Sequence, residues 1–251
     1  ILSKKIASGL SSLVLDVKVG NGSFNSTIDI ARDLSNSLVR VAKGAGLHCE
    51  AILTDMNQVL GKSAGHTLEI LECIKYIKND FKDHRLEKIT NELISSLLVN
   101  IYKISKEEAY NKINTVINNG LAAEKFEMMV AALGGPKNIL TSYEKDLTNT
   151  SIQKDIFSME DGWIENIHTR ELGLILIELG GGRKQVTDKI DYGVGYDNVL
   201  NIGDEVNSST PLLSVYSNKN IDDNLINKIK SCFIISDKKT HKLSEIFETI
   251  N

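Results

Sequence analysis

Apolar residues recur at helical spacing at the start of the chain, where Ile1, Leu2, Ile6 and Leu10 lie near one face and Gly9 is placed to end the helix. The run Leu13-Val14-Leu15-Asp16-Val17-Lys18-Val19 is β-branched and largely apolar, which predicts a strand covered on both faces, and Gly20-Asn21-Gly22 ends it in a turn. Between Thr27 and Lys43 the helical period returns at Ile28, Ala31, Leu34, Leu38 and Val41. Gly44-Ala45-Gly46 closes that helix, and Cys49 to Leu53 reads as a second strand. Strand, glycine turn, helix and strand make a βαβ unit, which predicts a parallel sheet with right-handed crossovers. The loops Asn21 to Phe24 and Thr54 to Gly65 would then share the carboxyl rim, where open α/β sheets bind ligands.

From Gly65 to Gly135 the pattern is helical, with predicted helices over Leu68 to Ile77, Leu86 to Lys103, a stretch opened by Ser105-Lys106-Glu107-Glu108 and stopped by Asn118-Asn119-Gly120, and Leu121 to Leu133. The Ser-x-x-Glu spelling is a capping box, and Gly134-Gly135-Pro136 is a firm stop. Beyond about Thr150 the character changes to short strands (Ser151 to Ser158, Gly162 to His168, Gly203 to Val206, Leu212 to Tyr216) with one helix, Thr169 to Leu179, among them. A domain boundary is expected near Asn149. The tail from Asn220 to Asn251 reads as helix, strand and helix.

Composition narrows the function. The chain has 251 residues, 41% hydrophobic and 25% charged, enough to bury a sizeable core. A formal net charge of -4 supplies no basic field for nucleic acid, although a local pocket for a small anion remains open. Cys49, Cys73 and Cys232 form no CxxC or Cys/His cluster, so neither a disulfide framework nor a zinc site is suggested and a reducing cytoplasm fits. No apolar run approaches the ~18 to 20 residues that span a bilayer, so no membrane partner is expected.

Several residues are candidates for chemistry, each with a plainer use. Lys4 and Lys5 taken alone read as a solvated pair on a helix. Phe24, after the glycine turn, is either packed in a core or stacked on a planar ligand at the rim. Gly20-Asn21-Gly22-Ser23 resembles a phosphate cradle but has neither the GxxxxGK nor the GxGxxG spelling, and reads as a structural turn that positions Phe24. Asp55 and His66 are tempting as an acid/base pair, yet loop aspartates commonly cap turns, and neither is assigned a catalytic role. Gly180 to Gly182 with Arg183 form either an anion nest or a packed turn, the second being the better reading.

Four blocks carry a resemblance. ILSKKIASGL at Ile1 to Leu10, DVKVGNGSF at Asp16 to Phe24 and TDMNQVLGKSAGHTLEILE at Thr54 to Glu72 fall in the order and spacing of the thymidine and pyrimidine-nucleoside phosphorylase family, which the chain resembles. GGGRKQVTDKIDYGVG at Gly180 to Gly195, with IGDEV and PLLSVY after it, is similar to that family's C-terminal domain. The resemblance implies an α/β fold: a parallel-sheet α/β domain with flanking helices, followed by a smaller β-rich, α+β, hammerhead-like C-terminal domain. Residues 1–10 would end the helical lobe, 11–149 form the α/β domain and 150–251 the C-terminal domain.

It also implies a pentosyltransferase of nucleoside salvage, cytoplasmic and homodimeric, that converts thymidine and inorganic phosphate to thymine and 2-deoxy-D-ribose 1-phosphate without an organic cofactor. Lys4 matches the family's base-reading lysine, Ile1 the isoleucine that packs on the base, and Phe24 a base-contacting position. Leu60, Ser63 and Glu72 match positions where some members hold a monovalent cation such as K+ through two backbone carbonyls and one carboxylate, against the plainer reading of a loop followed by a helix-surface glutamate. The family's phosphate-gripping residues, catalytic histidine and base-binding arginine fall before Ile1, so a fragment inactive by itself is expected. The alternative is a non-catalytic remnant or one subunit of a split enzyme. A phosphoribosyltransferase of the same fold group is disfavoured by the Thr54 to Glu72 block and the C-terminal domain.

Overall fold

The structure is a computed structural model that describes residues 1–147 and 150–251; the boundary expected near Asn149 lies outside them. In chain order the first elements are α1 (Leu2–Ala7), β1 (Ser12–Val19), α2 (Ile28–Gly44), β2 (His48–Asp55), α3 (His66–Ile77), α4 (His84–Tyr102), α5 (Lys106–Asn118), α6 (Leu121–Ala132) and α7 (Ile139–Leu147). They are followed by β3 (Ile152–Phe157), β4 (Gly162–Ile167), α8 (Thr169–Leu179), β5 (Gly195–Asp197), β6 (Glu205–Val206), β7 (Pro211–Ser217), α9 (Asp223–Lys230), β8 (Phe233–Ser236) and β9 (Ile246–Ile250). The chain divides into two compact units, one of Ile1–Met56, His84–Val116 and Ser244–Asn251, the other of Asn57–Asp83 and Ile117–Leu243.

In the first unit β1 and β2 pair in parallel, from Ser12 opposite His48 to Val19 opposite Asp55. The helix that joins them, α2, starts where the Thr27 side chain accepts the Ile30 N–H at 3.4 Å. Its buried Ala31, Val39 and Ala42 pack with Val17, Val19, Ala51 and Leu53, the residues that alternate onto one face of the strands. The opposite face is also covered, by α4, but it is mixed rather than apolar: Val14 and the buried Ile52 share it with Asp16, Lys18, Glu50 and Thr54, and the buried Glu50 accepts from Asn100 Nδ2 at 2.9 Å and Ser96 Oγ at 3.4 Å on α4. Amphipathic strands let a helix with a polar stripe cover that face without stranding charge.

The third strand of this sheet comes from the end of the chain. β9 runs antiparallel to β2, from Ala51 opposite Ile250 to Thr54 opposite Ile246. The tail is therefore α9, β8 and β9, and the predicted final helix is a strand. A parallel relationship is found, among the described residues, only between β1 and β2.

The second unit holds two antiparallel sheets, β3-β7-β5 and β6-β4-β8, with α8 and α9. Buried residues of these strands, including Ile156, Ile164, Ile167, Leu213 and Val215, form a core with Leu172, Ile175 and Leu179 of α8. A smaller cluster unites Ile74 of α3 with Ile139 and Tyr143 of α7, a helix additional to those predicted. The predicted helices over Leu68 to Ile77, Leu86 to Lys103, Leu121 to Leu133 and Thr169 to Leu179 are present, and Ser105 Oγ accepts the Glu108 N–H at 3.1 Å at the start of α5. No helix among the described residues is long and apolar enough to cross a membrane.

Candidate active site

In the first unit the predicted base-reading residues all face solvent. Ile1 is 77% exposed at the start of α1, where Leu2 anchors the helix in the core. Lys4 is exposed on the same short helix, and its ammonium makes no ion pair among the described residues. Phe24 is 95% exposed and does not pack into the core of the described residues.

The turn that carries Phe24 is closed from several sides. Ser23 Oγ and Asn25 Nδ2 both donate to the Lys18 carbonyl, at 2.8 and 3.1 Å, and the Asn25 N–H donates to Ser23 Oγ at 3.1 Å. Backbone bonds add Gly20 N–H to Asn25 O, Ser23 N–H to Gly20 O and Gly22 N–H to Met56 O, each 3.0 Å. The glycine run thus folds on its own groups as a turn at the carboxyl end of β1.

Directly below lies a polar set that sequence reasoning missed. Lys18 Nζ sits 2.7 Å from Asp16 Oδ2 and donates to Thr54 Oγ1 at 3.0 Å, and Thr54 Oγ1 donates to Asp16 Oδ1 at 2.5 Å. Two charges two residues apart in a strand pattern must share a face, and that was the available signal. Asp55 ends β2 with its carboxylate buried against Arg85, and Glu245 takes Lys88 at 2.6 Å. Burial raises the Glu245 carboxyl, but the Lys88 hydrogen bond and charge, a backbone hydrogen bond and the Arg85 charge together outweigh it, and its pKa falls below the usual value.

In the second unit, the loop after Met56 is stitched along its length. Thr169 Oγ1 donates to Asn57 O at 2.7 Å, the Ile202 N–H to Gln58 Oε1 at 2.9 Å, and the Val199 N–H to Lys62 O at 3.0 Å. Ala64 exchanges both backbone bonds with Tyr196. At Gly65 φ is +125°, and a Cβ there would lie 2.6 Å from the Val194 carbonyl oxygen, so only glycine suits this approach. Of the predicted cation set, Ser63 and Glu72 come together: the Glu72 carboxylate accepts the Lys62 N–H at 2.8 Å, the Ser63 N–H at 3.1 Å and the Ser63 hydroxyl. Leu60 is half-buried just before this clamp. Leu60 and Ser63 would offer carbonyl oxygens and Glu72 a carboxylate, the oxygen donors that a hard cation takes.

Other candidates are engaged elsewhere. The His66 ring meets Tyr192 edge-on with centroids 5.2 Å apart. Gly180 closes α8 with φ +110°, and a Cβ on Gly182 would lie 2.7 Å from Ile177, as a packed turn requires. The neighbouring N–H groups of Lys184 and Gln185 are filled by the chain's own Asp188, at 2.9 Å each.

Residues 163–236 match the family described as pyrimidine nucleoside phosphorylase C-terminal domain. Among curated proteins, a thymidine phosphorylase of Colwellia psychrerythraea (strain 34H / ATCC BAA-681) is 45% identical over 208 residues, covering 82% of this chain and 48% of that relative. The chain spans about half the length of the relative it matches. A family-specific domain in its second half, joined to that identity along most of its length, makes this chain a member of the thymidine and pyrimidine-nucleoside phosphorylase family, of which it carries the C-terminal part.

Proposed function

We propose that this chain supplies the base-binding half of a pyrimidine-nucleoside phosphorylase acting on thymidine. The observation that carries the reading is Phe24: an aromatic side chain, ordinarily buried, stands 95% exposed on a hydrogen-bonded turn at the carboxyl end of a parallel strand. Ile1 adds apolar surface for the base, and Lys4 adds a positive donor without an ion-pair partner among the described residues.

In the reaction a phosphate oxygen forms a bond to C1′ of the sugar as the C1′–N1 bond breaks. The electron pair leaves on the pyrimidine and spreads from N1 to the ring oxygens. The Lys4 ammonium aimed at that charge lowers the barrier, by about 3 kcal/mol for one well-placed donor. The base then takes a proton and departs, leaving 2-deoxy-D-ribose 1-phosphate. Leu60 and Ser63 carbonyls with the Glu72 carboxylate would hold K+, whose charge would steady the loop; no organic cofactor is involved. In this reading the intact enzyme is a cytoplasmic homodimer.

Phosphate must be gripped by residues outside 1–251, because positioning fails when one reactant is not bound. The test is phosphate-dependent release of thymine from thymidine by residues 1–251 alone and after addition of the N-terminal part of a related phosphorylase. Negligible release alone and clear release with the complement is the expected result. Release by the lone chain would refute the dependence on a complement. A folded complement that restores nothing would favour a non-catalytic remnant.

A further inference from the structure

The geometry points to Ser23 and Asn25 as positioning residues that hold the Phe24 ring out from the turn as a fixed platform for a planar pyrimidine. This rests on the reading of Phe24 as a base contact and adds how the ring is kept in place. A side chain exposed at 95% has no core to fix it, so its direction depends on its own backbone. That backbone is clamped on both sides of Phe24. Ser23 Oγ and Asn25 Nδ2 converge on one acceptor, the Lys18 carbonyl, at 2.8 and 3.1 Å, and Ser23 Oγ also takes the Asn25 N–H.

The acceptor is itself well anchored. Lys18 belongs to β1, and its side chain is pinned by Asp16 and by Thr54 of the neighbouring strand. The two side-chain bonds therefore transfer the rigidity of the β1–β2 pair to the turn. Glycines at positions 20 and 22 give the turn freedom that the hydroxyl and amide must remove. Ordering the ring before a ligand arrives lowers the entropic cost of stacking on it.

The experiment compares the 251-residue chain with its Ser23→Ala/Asn25→Ala, Phe24→Ala and Ser23→Thr variants, using thymine as the probe in saturation-transfer NMR and amide exchange to read residues 20–25. The double variant should lose amide protection in the turn while its melting temperature stays close to that of the parent. Its thymine affinity should fall about five- to tenfold, to the level of Phe24→Ala, the range expected for one stacking contact. Ser23→Thr, which keeps the hydroxyl, should retain the parent's protection and affinity. A loosened turn with unchanged thymine affinity, while Phe24→Ala is weakened, would overturn the positioning role alone. Unchanged affinity in Phe24→Ala, or no thymine binding by the parent chain, would remove the base contact on which the inference rests.

Discussion

The Arg85 guanidinium lies 3.2 Å from the Asp55 carboxylate, with only 7% and 0% of the two side chains exposed, and it also reaches the Asp55 carbonyl at 3.4 Å. The pair joins the start of α4 to the end of β2. The same strand end is tied to the tail of the chain, since the Asp55 N–H donates to Glu245 O at 3.0 Å. Asp55 thereby fastens the end of β2 to α4 and to the tail.

Replacing Arg85 by Ala removes the guanidinium from a buried carboxylate. A loss of about 3 to 5 kcal/mol in unfolding free energy is expected, as for other broken buried pairs. Urea denaturation measures it, and a double variant with Leu at positions 55 and 85 should recover much of the loss. A change in Arg85→Ala too small to resolve would show that the pair does not stabilise the β2 end.

Lys4→Ala tests the chemistry. In the complemented enzyme it should lower turnover of thymidine by about two to three orders of magnitude, the range for removing a donor to developing charge, with melting temperature unaltered because Lys4 is exposed. A loss under about fivefold would take Lys4 out of the site.

Asp204 gives the second unit a pH dependence. Burial pushes its carboxyl up, but the Asn201 N–H and the ammonium groups of Lys62 and Lys242 outweigh it, so its pKa falls below 3.8. A depressed folded-state pKa means that this stabilisation is complete above pH 3.8 and is lost as pH falls through the lower folded value. Asp204→Asn should therefore be less stable than the parent at neutral pH, with the difference closing below pH 3.8. Denaturation midpoints of both proteins across that range decide it, and a difference that does not vary with pH would contradict the assignment.

Glu72→Gln separates two roles of one carboxylate. As a clamp, Glu72 holds the Lys62 and Ser63 N–H groups whatever salt is present, so the variant should exchange these amides faster in Na+ and in K+ alike. As a cation ligand, it should also confer a K+-dependent rise in melting temperature on the parent that the variant lacks. No K+ effect on the parent would leave the clamp and remove the cation.

Local regularity was legible in the residues themselves. The helical period across Ile28, Ala31, Leu34, Leu38 and Val41 became α2, and the apolar run before Gly20 became β1, because helix and strand pitch impose their spacing on whichever residues face a core. The blocks around Lys4, Phe24 and Glu72 carried the family resemblance. Pairing between distant segments was not legible: Ile246 to Ile250 reads as well as a helix, and only β2's open edge makes it a strand. For the same reason the Arg85–Asp55 pair was invisible until folding supplied the partners, whereas the shared face of Asp16 and Lys18 was written in their spacing. A residue's period follows from its neighbours in the chain, but its hydrogen-bond partner follows from which distant surface is brought against it.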